Sequence, residues 1–341
     1  MPELILHAGS VKTGSSSIQH FLAVNTEILI QSGIGILSLD YQNQSKEAVS
    51  NIWALNTAFR DYDAGDALSL TRLANNILAQ IDNSSNSHWI LSAENLLEER
   101  HAIELVKYLS RETQVSTTAY IRSQPDILIS AWLQWEMRLG LDLAETIGMY
   151  LQQDRFNWLS LYQRWLGILQ ESSLSFNIYD IQAFPEGDVC KHFIAHLDKK
   201  HAFNFNYSTL NFGKSKHGNY TVDPFIYRFS QGENFFSGIH DNRFIEMLDF
   251  IWPSACTIDK ELTFIKPDLV TKIRDHYRIS NSEISRILGF DTSILEKCNF
   301  NTSDDCPMNP IGKGDCAFYM ELARRLAKEL FKQAENSFEI M

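Results

Sequence analysis

Short apolar runs alternate with longer stretches of helical periodicity over the first 140 residues. Leu4-Ile5-Leu6-His7 reads as a strand, and residues 16–31 set Ile18, Phe21, Leu22 and Leu29 near one helical face before Gly33 stops the pattern. The same reading predicts strands over 34–39, 88–92 and 115–121, with helices over 67–81 and 103–109. Strands that are apolar almost throughout and separated by helices predict an α/β fold with a central parallel sheet covered on both faces. Ligands of such sheets bind beyond the carboxyl ends of the strands, so the residues that follow each strand carry the interest. Beyond Gly140 the pattern is mostly helical, with a helix over 158–169 leading to a strand over 174–179. Residues 204–238 are aromatic, Gly- and Asn-containing and poorly periodic, the signature of a long loop region. Amphipathic helices are predicted over 267–288, opened by Pro267, and over 317–334, with a polar stretch over 299–315 between them. Neither a linker nor an internal repeat is visible.

A chain of 341 residues with 44% hydrophobic residues can bury a large core without disulfides or structural metal. Its 42 acidic residues against 30 basic ones give a net charge of -12, so an anionic partner must be met by a local basic site, and general nucleic-acid binding is disfavoured. The longest apolar runs are strand-length, which predicts no transmembrane segment, and the Met1-Pro2-Glu3 start lacks a signal-peptide pattern. The expectation is a soluble cytoplasmic protein. Cys190, Cys256, Cys298, Cys306 and Cys316 form an odd set without a C-x-x-C pair, as reduced structural thiols would. Cys190, His192, His196 and His201 invite a metal reading because His192 and His196 are one helical turn apart, but packing is the commoner role of such histidines.

The strongest chemical signal follows the first strand: His7-Ala8-Gly9-Ser10-Val11-Lys12-Thr13-Gly14-Ser15-Ser16-Ser17, running directly into a helix. A Gly- and Ser-rich strand-to-helix turn presents backbone NH groups and the positive end of a helix dipole, together an anion site, and the lysine adds a mobile cation. Gly9 and Gly14 have the spacing of the nucleoside-triphosphatase loop G-x-x-x-x-G-K-[ST], but Ser15 stands where its lysine belongs and the cation is Lys12. A second signal follows the fourth strand, where Arg122 is trailed by Ser130 eight positions later on the next helix. An arginine at a strand end can grip a phosphate bidentately, and a serine on the following helix can reach the same group. Two anion sites imply a doubly phosphorylated ligand.

These residues resemble the sulfotransferases that use 3'-phosphoadenosine 5'-phosphosulfate (PAPS). Lys12-Thr13-Gly14-Ser15-Ser16-Ser17 is similar in every position to the K-[ST]-G-[ST]-[ST]-[ST] loop of that family, and Arg122 and Ser130 have the spacing of its 3'-phosphate site. Ser92-Ala93-Glu94-Asn95-Leu96 resembles the S-x-E-N-L segment of bacterial sulfotransferase-like proteins. The resemblance implies a P-loop-like three-layer fold with a helical carboxyl-terminal part, one domain over 1–341. Residues 1–140 and 170–220 would form the nucleotide-binding core, with 221–341 packed on it. It also implies PAPS as donor, adenosine 3',5'-bisphosphate as product, no metal requirement, and a small-molecule or glycan hydroxyl acceptor such as a glycolipid. Lys12 would sit on the leaving oxygen, the backbone amides from Thr13 to Ser16 and the Ser15 and Ser16 hydroxyls would hold the 5'-phosphate, with Ser17 counted in the same cofactor-binding loop, and Arg122 with Ser130 would hold the 3'-phosphate.

A hydroxyl acceptor needs a general base. Glu94, ending the third strand, is the first candidate, with Asp40, ending the second, its rival. His7 precedes the loop and reads as a packing residue. The tryptophan that stacks on adenine in many family members is replaced by Ser17, so adenine packing must come from elsewhere, and the Asn211-Phe212-Gly213-Lys214-Ser215-Lys216-His217 stretch, with Lys214, is a candidate to close over the nucleotide. Two other readings stand beside this one. A small-molecule kinase using the same loop would need ATP and magnesium, and Ser15 argues against it; a non-catalytic nucleotide-binding protein would bind without turnover.

Overall fold

Five of the apolar runs are strands, and all five lie parallel in one sheet. The computed structural model describes residues 2–39, 49, 51–136, 141–213 and 265–302. Strands β1 (Glu3–Ala8), β2 (Ile34–Ile36), β3 (His88–Ala93), β4 (Gln114–Ile121) and β5 (Leu174–Ile178) take the order β2-β3-β1-β4-β5. Helices α1 (Ser15–Val24), α2 (Thr26–Gln31), α3 (Ile52–Asp63), α4 (Ser69–Asp82), α5 (Ala102–Glu112), α8 (Trp158–Leu166) and α9 (Val189–His201) belong to the same unit as the sheet; α6 (Gln124–Gln134) and α7 (Leu143–Gln152) belong to a second. Helix α10 (Pro267–Leu288) matches its predicted bounds and is divided between the units at residue 277, and α11 (Ser293–Glu296) follows.

Burial explains the strand sequences. Leu4, Ile5, Leu6 and Ala8 of β1 are all buried, as are Ile90, Leu91 and Ala93 of β3 and Val115, Ala119, Tyr120 and Ile121 of β4. A sheet flanked by helices on both faces requires this continuity. On one face Ile5, Ile90 and Tyr120 pack with Ile18, Phe21 and Leu22 of α1 and with Phe193, Ile194 and Leu197 of α9. Helix α9 starts on Asp188, whose carboxylate accepts from the amides of Cys190 (2.7 Å) and Lys191.

Two predicted elements are cut short by side-chain amides. The helix expected over 16–31 breaks at Asn25, whose Nδ2 donates to the carbonyls of Phe21 (2.8 Å) and Asn211 (2.9 Å) while its Oδ1 accepts from the Asn211 amide (2.7 Å). The strand expected over 34–39 ends at Ile36. Past it, Asn51 accepts from the Leu39 amide (2.7 Å) and donates to the carbonyls of Leu37 (3.2 Å) and Ser92 (3.0 Å), so one buried amide closes the ends of β2 and β3. Helix α3, which the sequence pattern does not announce, begins directly after it.

In the second unit, Asp142 caps α7 through the amides of Ala144 and Glu145, Trp132 Nε1 donates to the Leu141 carbonyl (2.9 Å), and Asp126 accepts from the Asn299 amide (2.7 Å). Trp132 is fully buried. Cys190 and Cys298 are unpaired thiols, the other three cysteines lying outside the described residues. Among the described residues no helix is long and apolar enough to cross a membrane.

Candidate functional site at the β1 and β4 strand ends

Sheet order fixes where a ligand can sit. The connection leaving β1 runs to β2 on one side, and that leaving β4 runs to β5 on the other, so the crevice between the carboxyl ends of these adjacent strands is a topological switch point. The Lys12 loop follows β1 and Arg122 follows β4, which puts both predicted cations at that crevice.

The loop needs its glycines. A side chain at Gly9 would come within 2.9 Å of the Ala93 carbonyl, whose oxygen accepts from the Gly9 amide. Gly14 caps α1 in the left-handed region (φ 81°), and a Cβ there would meet Tyr179 at 3.0 Å and Val189 at 3.1 Å. Among the described residues no side chain caps α1, and its first backbone bond runs from the Ile18 amide to the Gly14 carbonyl, so the amides of the first turn have no intrahelical acceptor. Lys12 is itself left-handed (φ 57°), a conformation that costs a non-glycine residue about 1–2 kcal/mol. Strain of this kind collects at functional sites.

Internal bonds hold the turn. Thr13 Oγ1 (2.8 Å) and Ser15 Oγ (3.0 Å) both donate to the Ser10 carbonyl, and Ser10 Oγ donates to Glu98 (2.6 Å). The Ser15 hydroxyl that the resemblance assigns to a phosphate therefore also shapes the loop. Ser16 is half-buried at the start of α1 and Ser17 is exposed.

Arg122 reaches across the crevice. Its Nη1 donates to the Lys12 carbonyl at 3.0 Å, its guanidinium lies over the Tyr179 ring at 5.6 Å, and its own carbonyl accepts from Trp158 Nε1 at 2.8 Å. The arginine thus braces the loop that carries the lysine. Glu94, just after β3, is half-buried; desolvation raises its pKa above the usual carboxylate value, and the Lys12 charge pulls the other way. The S-x-E-N-L segment divides its tasks around that carboxylate. Ser92 Oγ hydrogen-bonds His7 Nδ1 (2.8 Å), Asn95 turns the chain in the left-handed region (φ 64°), and Leu96 and Leu97 are buried. The Leu97 carbonyl accepts from Trp165 Nε1 (3.0 Å) and, with that of Glu98, from Arg164 Nη2 (2.9 Å each).

Trp158, Arg164, Trp165 and Tyr179 were not anticipated. No local pattern marks them, because each acts on backbone or guanidinium far along the chain. Ser130 is buried on α6, in the second unit. Asp40, Lys214, Lys216 and His217 lie outside the described residues. The histidine group read as a possible metal site separates: His192 Nδ1 bonds the Tyr120 hydroxyl (2.8 Å), while His201 turns to Glu3 at the far edge of the sheet.

A chain with net charge -12 has gathered a lysine and an arginine, with a helix amino terminus, around one strand-end crevice beside a half-buried carboxylate. Such a site can take an anion with more than one phosphate and offers a base above the ordinary carboxylate pKa. No family model matches this chain, and no curated protein or solved structure matches it either.

Proposed function

We propose that the protein is a cytoplasmic PAPS-dependent sulfotransferase acting on a hydroxyl acceptor of the glycan or small-molecule class. The observation that carries this reading is the Arg122 to Lys12 hydrogen bond, which joins the two sequence motifs at the switch point of a five-stranded parallel sheet. The donor supplies an activated sulfuryl group. Lys12 neutralises charge growing on the leaving oxygen, the amides of the first α1 turn hold the 5'-phosphate, and Arg122 takes the 3'-phosphate. Glu94 accepts the acceptor's proton. Transfer of this kind is in-line displacement, so positioning and charge stabilisation are the main tasks of the protein, by analogy with phosphoryl transfer.

Calorimetry with adenosine 3',5'-bisphosphate, 5'-AMP and ATP tests the nucleotide assignment. The bisphosphate should bind without metal at least about tenfold tighter than 5'-AMP, as one charge-assisted phosphate contact provides, and Arg122→Ala should erase the difference. Tighter binding of ATP with magnesium would move the assignment to a kinase.

The base assignment has its own signature. Because burial raises the Glu94 pKa, activity should fall as pH drops through a value above 4.5, when the carboxyl takes up its proton. In Glu94→Gln the rate of PAPS turnover should drop by about 10²–10⁴ and its acid limb should disappear. An unchanged limb in that variant would assign the base elsewhere.

A further inference from the structure

A second cluster of ligating groups lies at the amino-terminal edge of the sheet, remote from the strand ends that carry the Lys12 loop. Glu3 opens β1 and His88 opens β3, and the parallel register pairs them, so both side chains leave the same face. Helix α9 covers that face: its Phe193 ring meets His7 near the other end, and its final residue, His201, comes down on Glu3. His201 Nδ1 is 3.3 Å and His88 Nε2 is 3.7 Å from the same Glu3 oxygen, Oε2. One donor atom from each of the three residues lies within 4.8 Å of the others.

These separations are long for hydrogen bonds and close to those of a shared metal ion. Donor atoms bonded at about 2.0–2.2 Å to a tetrahedral zinc ion stand roughly 3.3–3.5 Å apart, close to both distances to Glu3 Oε2, and the whole set already lies within 4.8 Å. Two of the three outer atoms are held as metal ligands usually are, while His201 Nε2 is buried with no partner among the described residues. Ser87 Oγ bonds His88 Nδ1 (2.9 Å), Ser116 Oγ donates to the second Glu3 oxygen (2.6 Å), and the His201 ring stacks on Phe203. The His201 side chain is only 5% exposed and Glu3 13%, and Lys200, the preceding residue of α9, donates to Ser175 Oγ (2.9 Å).

We infer that Glu3, His88 and His201 bind one zinc-class divalent cation, which ties the heads of β1 and β3 to the end of α9 and leaves a fourth position for water. Two imidazoles and one carboxylate are a donor set for zinc rather than for magnesium or calcium. The site is independent of the sulfotransferase reading and would stand if that reading fell.

The test uses the full chain, stripped with a chelator, checked for native circular dichroism, and titrated with Zn²⁺ alone by calorimetry; Co²⁺ in parallel reports ligand geometry through its visible absorption. One equivalent should bind and raise the melting temperature. His88→Ala and His201→Ala should each weaken binding by roughly 100-fold or more, beyond the ~10–100-fold that loss of an outer-shell partner costs. His192→Gln, on the same helix, should bind as the wild type does. Glu3→Gln keeps the shape of the side chain and removes its charge, so it serves where a histidine variant does not fold, and it too should lose the ion. Failure of the wild type to take up a stoichiometric equivalent at micromolar zinc would overturn the assignment, and so would undiminished binding by Glu3→Gln and the histidine variants.

Discussion

Replacing Lys12 with alanine should lower turnover of PAPS by about 10²–10³-fold, the loss seen when one preorganised group that stabilises developing charge is removed. The expectation rests on position. Lys12 sits between two structural anchors, its carbonyl taken by Arg122 and the turn around it held by the Thr13 and Ser15 hydroxyls on the Ser10 carbonyl. Its left-handed backbone is a cost that a glycine would not bear, so Lys12→Gly separates function from structure. That variant should melt no lower than the wild type while losing activity as fully as Lys12→Ala. The measurement is adenosine 3',5'-bisphosphate released from PAPS with a hydroxyl acceptor, alongside thermal melts of the three proteins. Turnover of Lys12→Ala within about threefold of wild type would remove the lysine from the chemistry and leave it a loop residue.

What could be read from the chain follows from how local each signal is. The five strands and helices α4, α5, α8 and α10 are legible because their apolar spacing is itself the cause of their burial. Helix α3 is not, since only Leu55, Ala58 and Phe59 of its twelve residues are buried and Trp53 points to solvent. The break at Asn25 cannot be seen locally either, because its partner is Asn211, 186 positions away. In the candidate site, glycine, lysine and serine spacing announces the β1 loop, and the arginine at a strand end announces the β4 side. The bond between them depends on β1 and β4 being neighbours, which only the sheet order supplies. The Glu3, His88 and His201 cluster is the extreme case. Its members are spread from the first strand to the end of α9, and no spacing along the chain relates them.

Acid should unfold this protein earlier than its carboxylates alone would, through a histidine on the central strand. His7 is fully buried between Ser92 Oγ and the Phe193 ring, and burial pushes its pKa down from 6.5 to about 4. In the unfolded chain the same imidazole takes up its proton near 6.5, so between these values the unfolded state binds more protons and stability rises with pH. The contribution is intact above pH 6.5 and is lost progressively as pH falls toward 4, amounting to about 3 kcal/mol at the lower end. His196, pushed down to about 4 chiefly by burial and then by Lys200 and His192, adds a loss of the same sign in the same window. Glu3 acts in the same direction at lower pH, since its folded pKa lies below 4.5. Glu94 opposes them, because a raised carboxyl pKa favours the fold at low pH and costs stability as pH rises through it. Against a total of roughly 5–15 kcal/mol for a typical domain, the histidine contribution is large enough to lower the urea midpoint clearly. Urea unfolding at pH 7.5, 5.5 and 4.5 should show a falling free energy in the wild type and a distinctly shallower fall in His7→Gln, which has no proton to gain. Parallel slopes in the two proteins would mean that His7 is already charged in the fold, and the buried pairing with Ser92 would then need a compensating acceptor at Nε2, for which the described residues provide none.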